Sequence, residues 1–219
     1  MMSIFNIFDP MTSNMLALNW LMMSIPMFFM MNNYWLIFPR WNHLWMKIFI
    51  FINNEMKIIL KKKIFNLNFV SIFVMIMMIN FMGLFSFVFT SSSHMIMNLS
   101  LALPFWISFM LMGWIFNCNH MLVHQVPMGT PNLLMPFMVV IEMISNLIRP
   151  GTLSIRLTAN MIAGHLLLTL ISNNGNKLMI LLSILLILTQ TMLMMLEMSV
   201  AFIQAYVFTI LLSLYSQEI

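Results

Sequence analysis

The sequence predicts an all-α membrane protein with about five membrane helices plus one surface amphipathic helix. The last two membrane helices are expected to be long, strongly tilted and joined as a hairpin. Three observations carry this expectation. Of 219 residues, 62% are hydrophobic and only 6% are charged, whereas a soluble domain is typically about a quarter charged. Mean hydropathy is +0.99. Apolar runs recur at lengths that suit the ~30 Å hydrocarbon core of a bilayer, and no stretch is polar enough for a separate soluble domain. Residues 1–219 are therefore read as one integral membrane domain. The single cysteine, Cys118, excludes an internal disulfide framework and is expected to be a buried apolar thiol. The formal charge of +4 comes from one cluster and does not suggest a nucleic-acid partner.

The N-terminus, MMSIFNIFDPMTSN, lacks a basic start and a small-residue cleavage site. Insertion is expected to rely on the first membrane helix, 14–38, which contains Pro26 and the interfacial aromatics Trp20, Tyr34 and Trp35. Residues 40–63 change character. Arg40, Lys47, Lys57, Lys61, Lys62 and Lys63 fall here, six of the nine basic residues, interleaved with Trp41, Trp45 and MKIFIFI. Basic, aromatic and aliphatic residues together predict an amphipathic helix on the membrane surface, on the side where positive charge is retained. A bland basic loop is the competing reading. Membrane helices are expected over 64–89 and 99–116. The polar stretch TSSSHMIMN between them is expected to turn in solvent, with His94 a solvated loop residue. His120 and His124 are four apart and would share a helix face. No further ligand accompanies them, and Pro127, Gly129 and Pro131 mark a turn just beyond, so no metal site is expected.

Two long apolar stretches remain, 133–172 and 177–217, joined by SNNGN. Forty residues make ~60 Å of helix, about twice the hydrocarbon thickness. The turns that four short spans would need are missing, so two tilted helices are expected, the first kinked at Pro150. Each carries a polar line. Glu142, Arg149 and Arg156 are spaced by seven, nearly two helical turns, and so share a face, with Asn160 one turn further. His165 lies about half a turn away in azimuth. Ala159, Ala163 and Gly164 permit a close helical neighbour. On the second helix Gln190, Glu197, Gln204 and Glu218 fall on multiples of seven, with Ser199, Ala201 and Ala205 nearby.

A charge at the bilayer centre costs ~3 to over ~10 kcal/mol, and Arg156 cannot escape by deprotonating. A residue so costly is a functional candidate by default. Simple pairing of Arg with Glu is the plain alternative, but two arginines, two deep carboxylates, an imidazole and two amides exceed what pairing needs. Cys118 and His120 are two apart, which does not bring a nucleophile to its base, and no phosphate-binding Gly-rich loop is present. Bond-making catalysis is not expected. Met is abnormally common, at 30 residues. An AT-rich genome whose code reads ATA as Met drifts this way, which points to a mitochondrial gene. A GC-rich coding region using only ATG for Met would remove that inference.

SIRLTANMIAGHLL, with VPMGTP upstream and LEMSVAFIQAYVF downstream, closely resembles the subunit a family of F-type ATP synthases in its mitochondrial form. The resemblance covers most of the chain and is strongest from Val126 onward. It implies a multi-pass protein of the mitochondrial inner membrane with residues 40–63 facing the matrix. It implies no cofactor, with the bond chemistry of ATP in other subunits. Its implied partners are a rotating c-ring, the other stator and membrane-sector subunits, the lipid bilayer and transported protons. Arg156 matches the family's essential arginine facing the ring carboxylates. Asn160, His165, Glu197 and Gln204 match further polar positions, His165 and Glu197 in the half-channel of the intermembrane space. Glu142 matches the acid of the matrix half-channel and Glu218 a terminal acid near it. Arg149 sits where members vary, and Glu218 replaces the Asp of some animal members. Two rivals accompany this reading: a structural assembly subunit of a respiratory membrane complex, and a secondary cation transporter. The latter often shows internal repeats, and none is visible.

Overall fold

The computed structural model describes residues 7–12, 16–26, 40–60, 63–85, 88–126, 131, 134–175 and 180–218. Among them every regular element is helical. Most of the expected first span, 14–38, lies outside the described residues. Its described part contains a 3-10 helix, Leu18–Ser24. Six α-helices follow: α1 Arg40–Ile59, α2 Lys63–Gly83, α3 Met95–Phe116, α4 Cys118–His124, α5 Met135–Asn174 and α6 Ile180–Glu218. By length and composition α2, α3, α5 and α6 can each cross a membrane.

Helix α1 combines two faces. Ile52, Met56 and, just past its end, Leu60 recur every four residues and are buried, docking α1 on α2 and α6. Arg40, Lys47 and Lys57 are exposed together with Leu44, Phe51 and Ile58. A surface offering both cations and apolar groups suits the headgroup boundary. Lys61 and Lys62 lie outside the described residues.

The core forms around α2. Phe69, Phe73 and Ile76 of α2 meet Leu153 and Leu157 of α5 and Ala205, Phe208 and Leu212 of α6. Helix α6 packs most extensively on α2, and α5 on α3, while α5 and α6 touch along a shorter stretch. Phe73 is fully buried and meets Phe202 edge-on, with ring centroids 5.8 Å apart. Such truncations cost ~3–5 kcal/mol in water-soluble cores. In lipid only dispersion and packing are lost, because the surroundings are as apolar as the core. Phe73→Ala is therefore expected to destabilise by an amount at the low end of that range, read as a lower unfolding temperature in detergent.

Helix α5 has 40 residues and α6 has 39, each ~60 Å long. Helix α5 continues through Pro150. Just beyond it Thr152 Oγ1 donates to the Arg149 carbonyl at 2.9 Å and Ser154 Oγ to the Gly151 carbonyl at 2.8 Å. Both are local back-bonds of helix hydroxyls to the carbonyl three residues earlier.

Two expectations about single residues are overturned. Cys118 is exposed rather than buried, because it starts the short α4 beyond the packed part of α3. His94 is not a solvated loop residue. The turn that carries it folds inward: Thr90, Ser91, Ser92 and Ser93 are all buried. Part of its polarity is satisfied locally, with Asn98 Nδ2 donating to the Ser92 carbonyl at 2.8 Å and Ser93 Oγ to the Thr90 carbonyl at 2.6 Å. His94 stacks against Trp20 and Phe89, with ring centroids 5.2 Å and 5.3 Å away. The turn also ends sooner than expected, and α3 begins at Met95.

Candidate functional site

The depth of each polar group follows from helix geometry. Helix α2 has 21 residues, ~31 Å, about one hydrocarbon thickness. Its N-terminus adjoins the basic segment. Phe73, near its middle, meets Phe202 of α6. Two residues further along α6, Gln204 donates from Nε2 to the carbonyl of Arg156 at 2.8 Å. Arg156 thus lies level with the middle of α2. His165 is nine residues further along α5, ~14 Å, and its ring is hydrogen-bonded to the backbone of Gly83 at the end of α2. Glu142 lies fourteen residues the other way, ~21 Å, toward the basic side.

Around Arg156 the two long helices divide the work. Arg156, Ala159, Asn160, Ala163 and Leu167 form an exposed face of α5. The guanidinium has no ion pair among the described residues. Behind this face Glu197 and Gln204 of α6 are buried. Asn160, Gly164, Glu197, Val200 and Gln204 line a cavity of about 20 Å³, room for about one water. Both carboxylate oxygens of Glu197 are buried without a hydrogen-bond partner among the described residues. The carboxyl is pressed onto the backbone of Gly164: a Cβ there would lie 2.8 Å from Oε1 and 2.9 Å from Cδ. Only a glycine lets the acid sit this close to α5.

His165 is buried, meets Phe8 edge-on at 6.4 Å, and leaves Nε2 without a partner among the described residues. It faces away from the exposed strip of Arg156, as the spacing predicts. Toward the basic side a second cluster forms. Arg149 Nη2 lies 3.6 Å from Glu142 Oε1, both side chains half-buried, and the guanidinium rests over the ring of Tyr215 at 5.3 Å. Gln190 is half-buried on α6. The side chain of Glu218 lies outside the described residues.

The structure therefore brings Asn160, Glu197 and Gln204 around one cavity and ties Arg156 to them through its backbone. It holds His165 on a neighbouring face, and Glu142 with Arg149 in a separate cluster. Sequence reasoning passed over Tyr215 and Asn80. Asn80 is fully buried and neither of its amide atoms has a partner among the described residues. The available signal was an amide inside an otherwise apolar helix, MIMMINFMG.

The family described as ATP synthase A chain matches residues 11–217. The chain is 52% identical over 223 residues to ATP synthase subunit a of Locusta migratoria, covering 100% of this chain and 99% of that one. It is 50% identical to ATP synthase subunit a of Drosophila simulans over 222 residues and of Aedes aegypti over 225, with the same coverage. Matches of that extent, together with four helices able to span a bilayer, mean that the chain belongs to the ATP synthase A chain family and is a membrane-sector subunit of the F-type ATP synthase.

Proposed function

We propose that this subunit conducts protons between two offset half-channels and the carboxylates of a rotating c-ring, with Arg156 blocking a direct leak. The complex lies in the mitochondrial inner membrane, with residues 40–63 facing the matrix. The observation that carries this reading is Arg156 itself: a permanent cation level with the middle of α2, exposed on an outer face of α5, with no ion pair among the described residues. Such a charge is costly in lipid, and a passing anion would offset that cost. The small residues Ala159 and Ala163 beside it leave room for a close helical partner.

The polar groups divide by depth in a way that fits two half-channels. His165, Glu197, Asn160 and Gln204 lie level with Arg156 or beyond it, away from the basic segment. Glu142 and Arg149 lie on the basic side, with Glu218 at the end of α6. A proton from the outer side reaches Glu197 and moves to a ring carboxylate, which is then neutral and can enter lipid. After nearly a full turn the ring returns that proton on the Glu142 side. The ionised carboxylate then passes Arg156, which attracts it and repels any proton crossing directly. The drive is ~2.3 kcal/mol per charge per 100 mV. ATP chemistry belongs to other subunits.

Glu197→Gln tests this reading. The amide keeps the shape that packs against Gly164 and loses only the exchangeable proton. Proton flux in vesicles is expected to slow severalfold at unchanged content of assembled complex. Full-rate flux would remove Glu197 from the path and with it the outer half-channel as drawn here.

A further inference from the structure

Beyond the groups already assigned, the buried polar atoms without partners include a set at the far end of α2. Ser92 Oγ, His94 Nε2 and His165 Nε2 are all buried and lack a hydrogen-bond partner among the described residues. Ser92 and His165 are more than nine-tenths buried. The elements that carry them adjoin. The turn of Thr90–His94 packs on α5 and on α2. A Cβ at Gly83 would sit 3.5 Å from both the Thr90 methyl and the Met161 methyl, and the backbone of that same glycine holds His165. The turn, the end of α2 and α5 thus meet at one corner, ~30 Å along α2 from the basic segment.

His94 is held there by ring contacts, and its Nε2 has no hydrogen-bond partner among the described residues. Trp20 and Phe89 lie against it and against each other, the latter pair at 5.8 Å. A histidine kept for structure alone would satisfy a buried Nε2 within the protein. Buried polar atoms left over by the protein are met by water. An imidazole can accept a proton at one nitrogen and release one from the other, which makes it a shuttle rather than a plug. Among the elements packed on this turn, α3 and the Leu18–Ser24 segment carry no titratable residue. The one charged residue of α2, Lys63, is at its opposite end. Helix α5 presents His165. Asp9, whose carbonyl accepts from Asn19 Nδ2 at 3.2 Å, is exposed.

We infer that His94 is the outermost proton relay of this subunit, passing protons from outer-side water past Ser92 to His165. This rests on the proton-channel reading above and extends its outer half-channel to the turn between α2 and α3. No bond other than that to the proton is made or broken. The imidazole gains a proton from water on one side and returns one to water on the other.

The test uses the whole complex in sealed vesicles, carrying His94→Phe or His94→Gln. Phenylalanine preserves the ring between Trp20 and Phe89 and removes the proton site. Glutamine keeps a polar group that does not titrate. Proton flux is measured with outer-side pH varied from about 5 to 8, the span over which imidazoles change charge, and normalised to assembled complex. His94→Phe is expected to lower flux severalfold per complex. His94→Gln is expected to retain part of the flux but with a flattened pH profile. Flux per complex and pH profile both unchanged in either variant would overturn the relay, as would losses that only track complex content. Arg156→Ala in the same vesicles separates the two levels. If it blocks pumping while His94→Phe does not, the relay alone falls; if Arg156→Ala still pumps, the channel reading falls first.

Discussion

Arg156→Ala is expected to abolish ATP-driven proton transport while leaving the complex assembled. The expectation that assembly survives follows from the contacts. The Arg156 side chain is exposed on α5 and forms no ion pair among the described residues. What the neighbouring helix uses is the backbone: Gln204 donates to the Arg156 carbonyl, which alanine retains. Removing a charge that costs ~3 to over ~10 kcal/mol in mid-bilayer relieves the chain rather than harming it. The loss therefore falls on function. In the proposed mechanism, losing the cation removes both what favours the ionised ring carboxylate at this point and what repels a proton crossing between half-channels. Vesicles carrying the variant should show no ATP-driven acidification and a raised passive proton leak. Arg156→Lys should lose most of the activity too, since a buried ammonium can shed its proton and a guanidinium does not. Normal acidification in the alanine variant would rule the mechanism out. A structural-assembly role predicts the opposite pattern, with loss of complex rather than loss of flux.

Much of the fold was legible because hydropathy speaks clearly in lipid. The two long helices were expected over 133–172 and 177–217 and run Met135–Asn174 and Ile180–Glu218. Nothing between their ends signals a turn, and Pro150 alone does not stop a membrane helix. The second span was read too long, to 89, because apolar residues continue past Gly83 where the helix has already ended. Polarity misled at Thr90–Ser93. Four hydroxyl residues in a row look solvated, yet Thr90 and Ser93 bond each other, the Ser92 carbonyl accepts from Asn98, and the turn folds inward. Only the three-dimensional partners reveal that. The polar lines were visible from a spacing of seven, and the Glu142–Arg149 pair shows that spacing acting as contact. The target of Gln204, a backbone carbonyl 48 residues away, leaves no trace in side-chain pattern. Gly164 could be read as small but not as the seat of Glu197.

That seat makes Gly164→Leu the second large expected loss. A Cβ at this position already falls 2.8 Å from the Glu197 carboxylate, well inside contact distance. The obstacle is the far end of a flexible side chain, so Gly164→Ala can be met by swinging the carboxyl aside. It is expected to slow proton flux while the helices stay together. Leucine adds a branched group in the same line, and no swing of one carboxyl clears it. Helices α5 and α6 must separate there, and the 2.8 Å bond from Gln204 to the Arg156 carbonyl is lost with the cavity between them. Overpacking of this kind costs ~1–3 kcal/mol and the lost hydrogen bond ~0.5–1.5 kcal/mol. Those sums are small beside the packing of the whole chain, so assembled complex should persist at reduced thermal stability. Flux should fall close to zero, because Glu197 no longer stands behind Asn160 and Arg156 no longer has its carbonyl anchored. Parallel measurement of proton flux per complex in glycine, alanine and leucine forms is expected to give a graded series in that order. Full flux in the leucine form would mean that Glu197 needs no fixed seat beside α5, and the outer path would then have to reach the ring without passing through this cavity.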